Sequence, residues 1–356
     1  MRKLIKMSHN VYDYECMWNG IEDMYEDITG EHIPDFLFFS LSGIGNFVYL
    51  KHNKGPLKRQ VCWGDGRTEL MYKSVCDIIG FDFKHIQGRT FAYTMKKAKS
   101  QIDMEKPVVL GCLDMYYLKY YPKFYHKEHI PIHYVLMVGY DEEKNCALIQ
   151  DCGVKEVQEI SFEELEIALD VEKTDLSDKN GIYLIEWKDK LKGLKELCEE
   201  ALKRKADSQL NPPVSFLGIK GMRKLAMEFP GWKDELTREE LKAAIEFMAM
   251  FTGTVPSIPE KLINGVEGKE EIPRMAAMDK FSGVLNYLGV KYEKTSWVKA
   301  GEAFMECGRV IERMSEVLVD YLMGARDAIS EIPGFLEQQA DFEEQGYKYI
   351  IDGVKE

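Results

Sequence analysis

His133-Tyr-Val-Leu-Met-Val-Gly-Tyr-Asp141, followed by Glu-Glu-Lys-Asn and then Cys146-Ala-Leu-Ile-Gln-Asp151, is the stretch on which the fold turns. Two short apolar runs around a polar turn read as a β-hairpin. Val135 and Met137 lie on one side of the first run, Leu136 and Val138 on the other. Apolar residues on both sides mark a strand buried on both faces. A turn centred near Glu143 sets His133 opposite position 153 and makes Asp151 its diagonal neighbour. Diagonal neighbours sit roughly 7–8 Å apart, within reach of an imidazole and a carboxylate. An imidazole oriented by a carboxylate is half of a nucleophilic triad, which leaves the nucleophile to be found.

The other histidines narrow the search. All seven (His9, His32, His52, His85, His126, His129 and His133) precede residue 134, so imidazole chemistry belongs to the first half of the chain. Upstream, Met17, Ile21, Met24, Tyr25 and Ile28 form a helical stripe, with Asp13 as N-cap and Gly30 as stop. Cys16 then falls in the first helical turn, where the helix N-terminus favours a thiolate. It lies roughly 120 residues before His133, a separation that suits an N-terminal helix packed on a later sheet, as in papain-like enzymes. In this reading His133 takes the proton of Cys16, the thiolate attacks an acyl carbon, and Asp151 holds the imidazole in its productive tautomer. The oxyanion would find donors in the Cys16 backbone N–H and the Asn10 side-chain amide. Each residue also has a plainer reading: Cys16 as a small core residue, His133 as a core histidine bonded to backbone, Asp151 as a cap on the turn after its strand.

Size and composition bound the rest. A chain of 356 residues exceeds one typical core and predicts two domains, 1–189 and 190–356. Predicted helices over 68–79 and 93–104, strands over 107–114 and 182–187, and the hairpin make the first domain α+β. Beyond Trp187 the pattern is helical: 190–206, a capping box at Thr237-Arg-Glu-Glu240 opening a helix to Phe251, then 272–288, 297–323 and 338–351. The net charge of −13 argues against nucleic acid or an anionic membrane as partner. No run approaches the ~20 apolar residues of a membrane span, and no signal peptide is read, so a cytoplasmic protein is expected. The eight cysteines, without regular spacing or a Cys-x-x-Cys pair, read as free thiols. Pro131 interrupts the helix that a zinc site on His126, His129 and His133 would need, so no metal is expected. The Ser42-Gly-Ile-Gly-Asn46 segment lacks the Lys-Ser/Thr of a P-loop and reads as a tight turn or a backbone approaching substrate.

Cys16 opening a helix, Ser42-Gly-Ile-Gly, Pro107-Val-Val-Leu-Gly-Cys-Leu-Asp-Met-Tyr-Tyr-Leu118, His129-Ile-Pro-Ile-His133 running into the hairpin, and Gln150-Asp151 together resemble the N-terminal domain of the butirosin biosynthesis protein H family. The segments Gly218-Ile-Lys-Gly and Pro273-Arg-Met-Ala-Ala-Met-Asp-Lys-Phe281 are similar to the helical domain that often follows it. The resemblance implies a papain-like fold related to the double-glycine leader peptidases, and an acyltransferase that moves an aminoacyl group from an acyl carrier protein onto an aminoglycoside amine. It implies Cys16 as acyl-accepting nucleophile, His133 as base and Asp151 as orienting acid. The residues themselves offer pocket candidates in Gly43, Gly45, Asp114 and His129, and in Tyr116, Tyr117, Tyr120, Tyr121 and Tyr125 of a tyrosine-rich loop that could line an acyl or sugar pocket, or simply pack with hydroxyls at the surface. The chain departs from the family where Glu15 stands in place of a frequent His and Cys152 in place of a frequent Pro. The expected co-substrate is an acyl thioester, on acyl carrier protein or CoA, with no bound cofactor. The expected acceptor is a small-molecule amine, and a homo-oligomer stays open. Two other functions stay open as well: a cysteine peptidase or amide hydrolase of the leader-peptidase kind, and a non-catalytic binding protein on the same fold.

Overall fold

The structure is a computed structural model that describes residues 2–11, 16–34, 37, 46–63, 67–87, 90–174, 176–252, 278–325 and 327–356. In chain order the first elements are β1 (Arg2–Leu4), α1 (Cys16–Thr29), β2 (Phe47–Lys51), β3 (Arg59–Trp63), α2 (Thr68–Ile79), β4 (Phe81–Ile86) and α3 (Phe91–Asp103). Then come β5 (Val108–Leu113), β6 (His133–Asp141), β7 (Cys146–Asp151), β8 (Val154–Ser161), α4 (Phe162–Ala168) and β9 (Ile182–Trp187). The remainder is helical: α5 (Leu194–Leu210), α6 (Gly218–Glu228), α7 (Trp232–Glu235), α8 (Arg238–Phe251), α9 (Met278–Lys291), α10 (Thr295–Leu322) and α11 (Ile332–Lys355). The class is therefore α+β followed by a helical region.

The chain divides into two compact units, Met1–Phe39 with Gly66–Leu197, and Ser40–Asp65 with Cys198–Glu356. The β2–β3 hairpin thus clusters with the helical unit, where the sequence reading had kept it in the first domain. Its strand β2 is tied there by Tyr49 N–H donating to the Phe216 carbonyl at 2.9 Å and by Tyr49 stacking near Trp232.

The first unit is built on a seven-stranded antiparallel sheet in the order β4-β9-β5-β6-β7-β8, with β1 pairing the far end of β6. Both β6 and β7 are buried along their whole length, as two apolar faces require. Val108, Leu110, Val135, Met137 and Ile149 meet Met95, Ala98 and Ile102 of α3 and Leu165 of α4 in one core cluster. Helix α1 packs on β6 so closely that a Cβ at Gly20 would come within 3.0 Å of Leu136. It ends at Gly30, whose φ of 73° is the left-handed conformation that glycine adopts without penalty. Strands β4 and β8 were not read from the sequence, because exposed charged residues such as Asp82, Lys84, Lys155 and Glu156 dilute their pattern. Helix α3 starts two residues earlier than its apolar stripe suggests, since the Thr90 side chain accepts from Tyr93 N–H and caps it.

In the second unit, α10 and α11 run antiparallel: Trp297 Nε1 donates to the Ile350 carbonyl at 3.1 Å and Lys294 Nζ to that of Gly353 at 2.7 Å. Thr237 and Glu240 form the expected capping box of α8. The interior holds an uncommon group of polar side chains. Glu343 is fully buried and accepts from Gln339 Nε2 at 2.8 Å, and burial raises its pKa to about 7. Nearby Lys205, bonded to Asn46 Oδ1 at 2.5 Å, is pushed down to about 7 by the same cause. A carboxyl whose folded pKa is raised contributes stability below its unfolded value and loses it as pH rises through the folded one. Glu343→Gln is therefore expected to raise the melting temperature at about pH 8 and to leave it unchanged at about pH 4, measured by calorimetry.

Candidate active site

Cys16 is the first residue of α1, half-buried, where the free N–H groups of the opening turn gather. His133 opens β6 and is 6% exposed. Its Nε2 lies 2.8 Å from Asp151 Oδ2 and 3.0 Å from Oδ1, and Cys16 is near enough to favour the charged ring. With Nε2 occupied by the carboxylate, Nδ1 is the nitrogen left for the thiol.

A register shift aligns the two. Near the turn Asp141 pairs with Cys146 and Gly139 with Leu148, but past a bulge at Val138 Met137 pairs with Ile149 and Leu136 with Gln150. Extended by one residue, that register brings Asp151 to the face of His133, because side chains alternate with period two, and the two side chains meet there. Without the extra residue the carboxylate would face the other side of the sheet.

Asp151 is 1% exposed and carries two further donors. Tyr120 Oη donates to Oδ2 at 2.8 Å and Tyr121 Oη to Oδ1 at 2.8 Å, and the Tyr121 ring meets His133 edge-on. Burial opposes the charge on His133, and the Asp151 carboxylate with Cys16 outweighs it, so the imidazole pKa is raised to about 10. Burial likewise opposes the charge on Asp151, yet His133 and the two phenols hold its carboxyl below the ordinary value. Both directions describe one buried ion pair. Tyr120→Phe with Tyr121→Phe strips two charge-assisted hydrogen bonds, and urea denaturation is expected to show a loss of roughly 3 kcal/mol.

The other residues singled out in the sequence are placed as follows. The Asn10 amide is engaged with carboxylates on later turns of α1: its Nδ2 donates to Glu26 Oε2 at 2.7 Å and reaches Asp23 Oδ1 at 3.4 Å. Asp114, Tyr116, Tyr117 and His129 form a cluster of their own. Asp114 accepts from His129 Nδ1 at 2.6 Å and from the backbone N–H groups of Tyr116 and Ile130, and the His129 ring stacks on Tyr116 at 4.0 Å. His129 is 61% exposed along its side chain, so this cluster presents a stacked imidazole and phenol to solvent. Gly43 and Gly45 lie outside the described residues. Among the described residues no group of three or more His, Cys, Asp or Glu side chains is arranged to hold a metal ion, and no helix is long and apolar enough to cross a membrane.

Residues 15–152 match the family model of butirosin biosynthesis protein H, N-terminal. Over this stretch the chain is similar to the butirosin biosynthesis protein H family. The match opens one residue before Cys16 and closes one after Asp151, so it contains the whole Cys-His-Asp arrangement. Residues 163–254 match a second family model, a domain of unknown function (DUF4872). No curated protein matches the chain.

Two pairs of residues take places that the sequence does not reveal. Tyr120 and Tyr121 read as pocket lining in a tyrosine-rich loop, and nothing in the spacing tells which hydroxyls turn inward to Asp151. His9 and Asp23 form a second buried pair, and only the position of Asp23, two helical turns after Cys16, hinted at it.

Proposed function

We propose that the chain is a thiol acyltransferase of natural-product biosynthesis, with Cys16 as nucleophile, His133 as acid–base and Asp151 as orienting carboxylate. The observation that carries this reading is His133 held between Cys16 and a buried, triply donated Asp151 inside the stretch similar to the butirosin biosynthesis protein H family. In the first half-reaction Cys16 sulfur attacks the carbonyl carbon of an acyl thioester on carrier protein or CoA. The oxyanion draws on the Cys16 backbone N–H, the donor's C–S bond breaks, and His133 protonates the departing thiolate. In the second, an amine of a small molecule attacks the acyl-Cys16 carbon, His133 takes the proton the amine loses, and the Cys16 thiol is restored. The transfer calls for no cofactor, since the thioester stands higher in acyl-transfer free energy than the amide formed from it.

The test is intact-mass spectrometry of the protein after incubation with acyl thioesters of CoA and of a phosphopantetheinylated carrier protein. An acyl-sized adduct that persists until an amine is added supports transfer. An adduct that turns over in water alone assigns hydrolysis in its place. No adduct from any thioester overturns the reading and leaves a binding protein on an enzyme fold.

A further inference from the structure

Residues 2–11, ahead of Cys16, touch β6 and α1, which carry His133 and Cys16, and reach the start of β8, three residues past Asp151. Strand β1 pairs with the end of β6, and Ile5 N–H donates to the Val138 carbonyl at 2.8 Å, at the bulge that sets the register of Asp151. On α1, Asp23 Oδ1 accepts from Asn10 N–H at 2.9 Å, and Asn19 Nδ2 donates to the Asn10 carbonyl at 2.7 Å. Between these anchors sits His9. Its Nδ1 is 2.8 Å from Asp23 Oδ2, and its Nε2 is 2.9 Å from the carbonyl of Val154, three residues past Asp151. The His9 side chain is 7% exposed and that of Asp23 is fully buried.

Both partners of the ring are acceptors, a carboxylate and a main-chain carbonyl. The pair therefore holds two protons, one in each contact, whichever atom carries the one shared with Asp23. Burial works against a charged His9, but Asp23, Val154 and the main chain of Asp151 raise its pKa, while burial raises that of Asp23. Taken singly, a raised carboxyl contradicts an ion pair. Together, the two directions say that the shared proton stays in place.

We propose that His9 is a positioning residue for the triad, spanning from Asp23 on the helix of Cys16 to Val154, where β8 begins three residues after Asp151, and so fixing the gap that His133 bridges. This rests on reading Cys16, His133 and Asp151 as a triad. Asp23 follows Cys16 by two turns on the same side of α1, so a pull on Asp23 moves the helix bearing the thiol. A displacement of about 1 Å at a reacting group costs on the order of 100-fold in rate.

The experiment compares wild type, His9→Ala and His9→Gln, each shown to be folded by circular dichroism. Two readouts are used: the hydrogen-bonded His133 ring N–H proton in histidine-labelled protein by NMR, and the rate at which iodoacetamide alkylates Cys16, with Cys16→Ala as blank. A positioning role predicts that the His133 resonance of His9→Ala shifts and exchanges faster with water, with alkylation slowed by roughly 10- to 100-fold. His9→Gln, which keeps one donor, is expected to fall between. If a folded variant keeps the wild-type His133 resonance and alkylation rate and loses only melting temperature, His9 is a strap and the proposal falls. Failure of the acyltransferase reading looks different: the wild type forms no acyl adduct, while the His133 resonance still reports whether His9 acts on it.

Discussion

Cys16→Ala is expected to abolish the acyl adduct and to lower amine acylation by about 10⁴-fold or more, with the fold intact. The thiol is half-buried at the first position of α1, so its removal opens no large cavity in the core and the stability change is small. Chemically nothing replaces it. Among the remaining cysteines, Cys112 is buried with its thiol pushed up to about 11, and its proton is engaged with the Leu176 carbonyl. A buried thiol kept protonated is a poor nucleophile. Intact mass after thioester incubation, followed by peptide mapping, reads the result directly. An adduct retained on Cys16→Ala would remove Cys16 from the mechanism.

Asp151→Asn is expected to produce the largest loss of stability, roughly 3–5 kcal/mol near neutral pH, because it removes one partner of a buried pair and forces the buried imidazole to give up its proton. The pH dependence carries a sign. His133 has a raised pKa, so its contribution is complete below the unfolded value of 6.5 and is lost as pH rises through about 10. Asp151 has a lowered pKa, so its contribution is present above 3.8 and is lost as pH falls through the lowered value. Wild type is therefore expected to hold this stabilisation in full from weakly acid solution to about pH 6.5 and to lose it progressively up to about pH 10. In Asp151→Asn the imidazole has no carboxylate to keep it charged, and the alkaline decline should disappear. Urea denaturation across pH, on wild type and variant, checks both statements. An unchanged alkaline limb in the variant would show that the decline belongs to other groups.

Much of this architecture is legible in the residues because it depends on local patterns. The stripe from Met17 to Ile28 is helical wherever it packs, and Gly30 ends it since a left-handed φ of 73° suits glycine. The capping box at Thr237 and Glu240 closes within four residues, so no distant contact is needed to form it. The doubly apolar run from Tyr134 to Val138 demands a strand covered on both faces, and β6 is one. Spacing and residue type were also enough to put Cys16, His133 and Asp151 forward, since each was argued from its own element.

What remained for the tertiary structure is every property that depends on where a side chain points or which strand lies next. The Val138 bulge, tied down by Ile5, sets the face on which Asp151 stands, and one inserted residue cannot be read from an apolar pattern that is the same on both sides. The hydroxyls of Tyr120 and Tyr121 turn in to Asp151 because a buried carboxylate needs donors, while Tyr116 in the same loop stacks on His129. The amide of Asn10 goes to Glu26 and Asp23, since carboxylates on α1 accept strong hydrogen bonds from it. Hairpin β2–β3 joins the helical unit through Tyr49, Phe216 and Trp232, which lie far apart in the chain. Periodicity and capping are short-range and survive in the sequence by themselves; register, side-chain direction and the pairing of buried charges are settled only when distant segments share one interior.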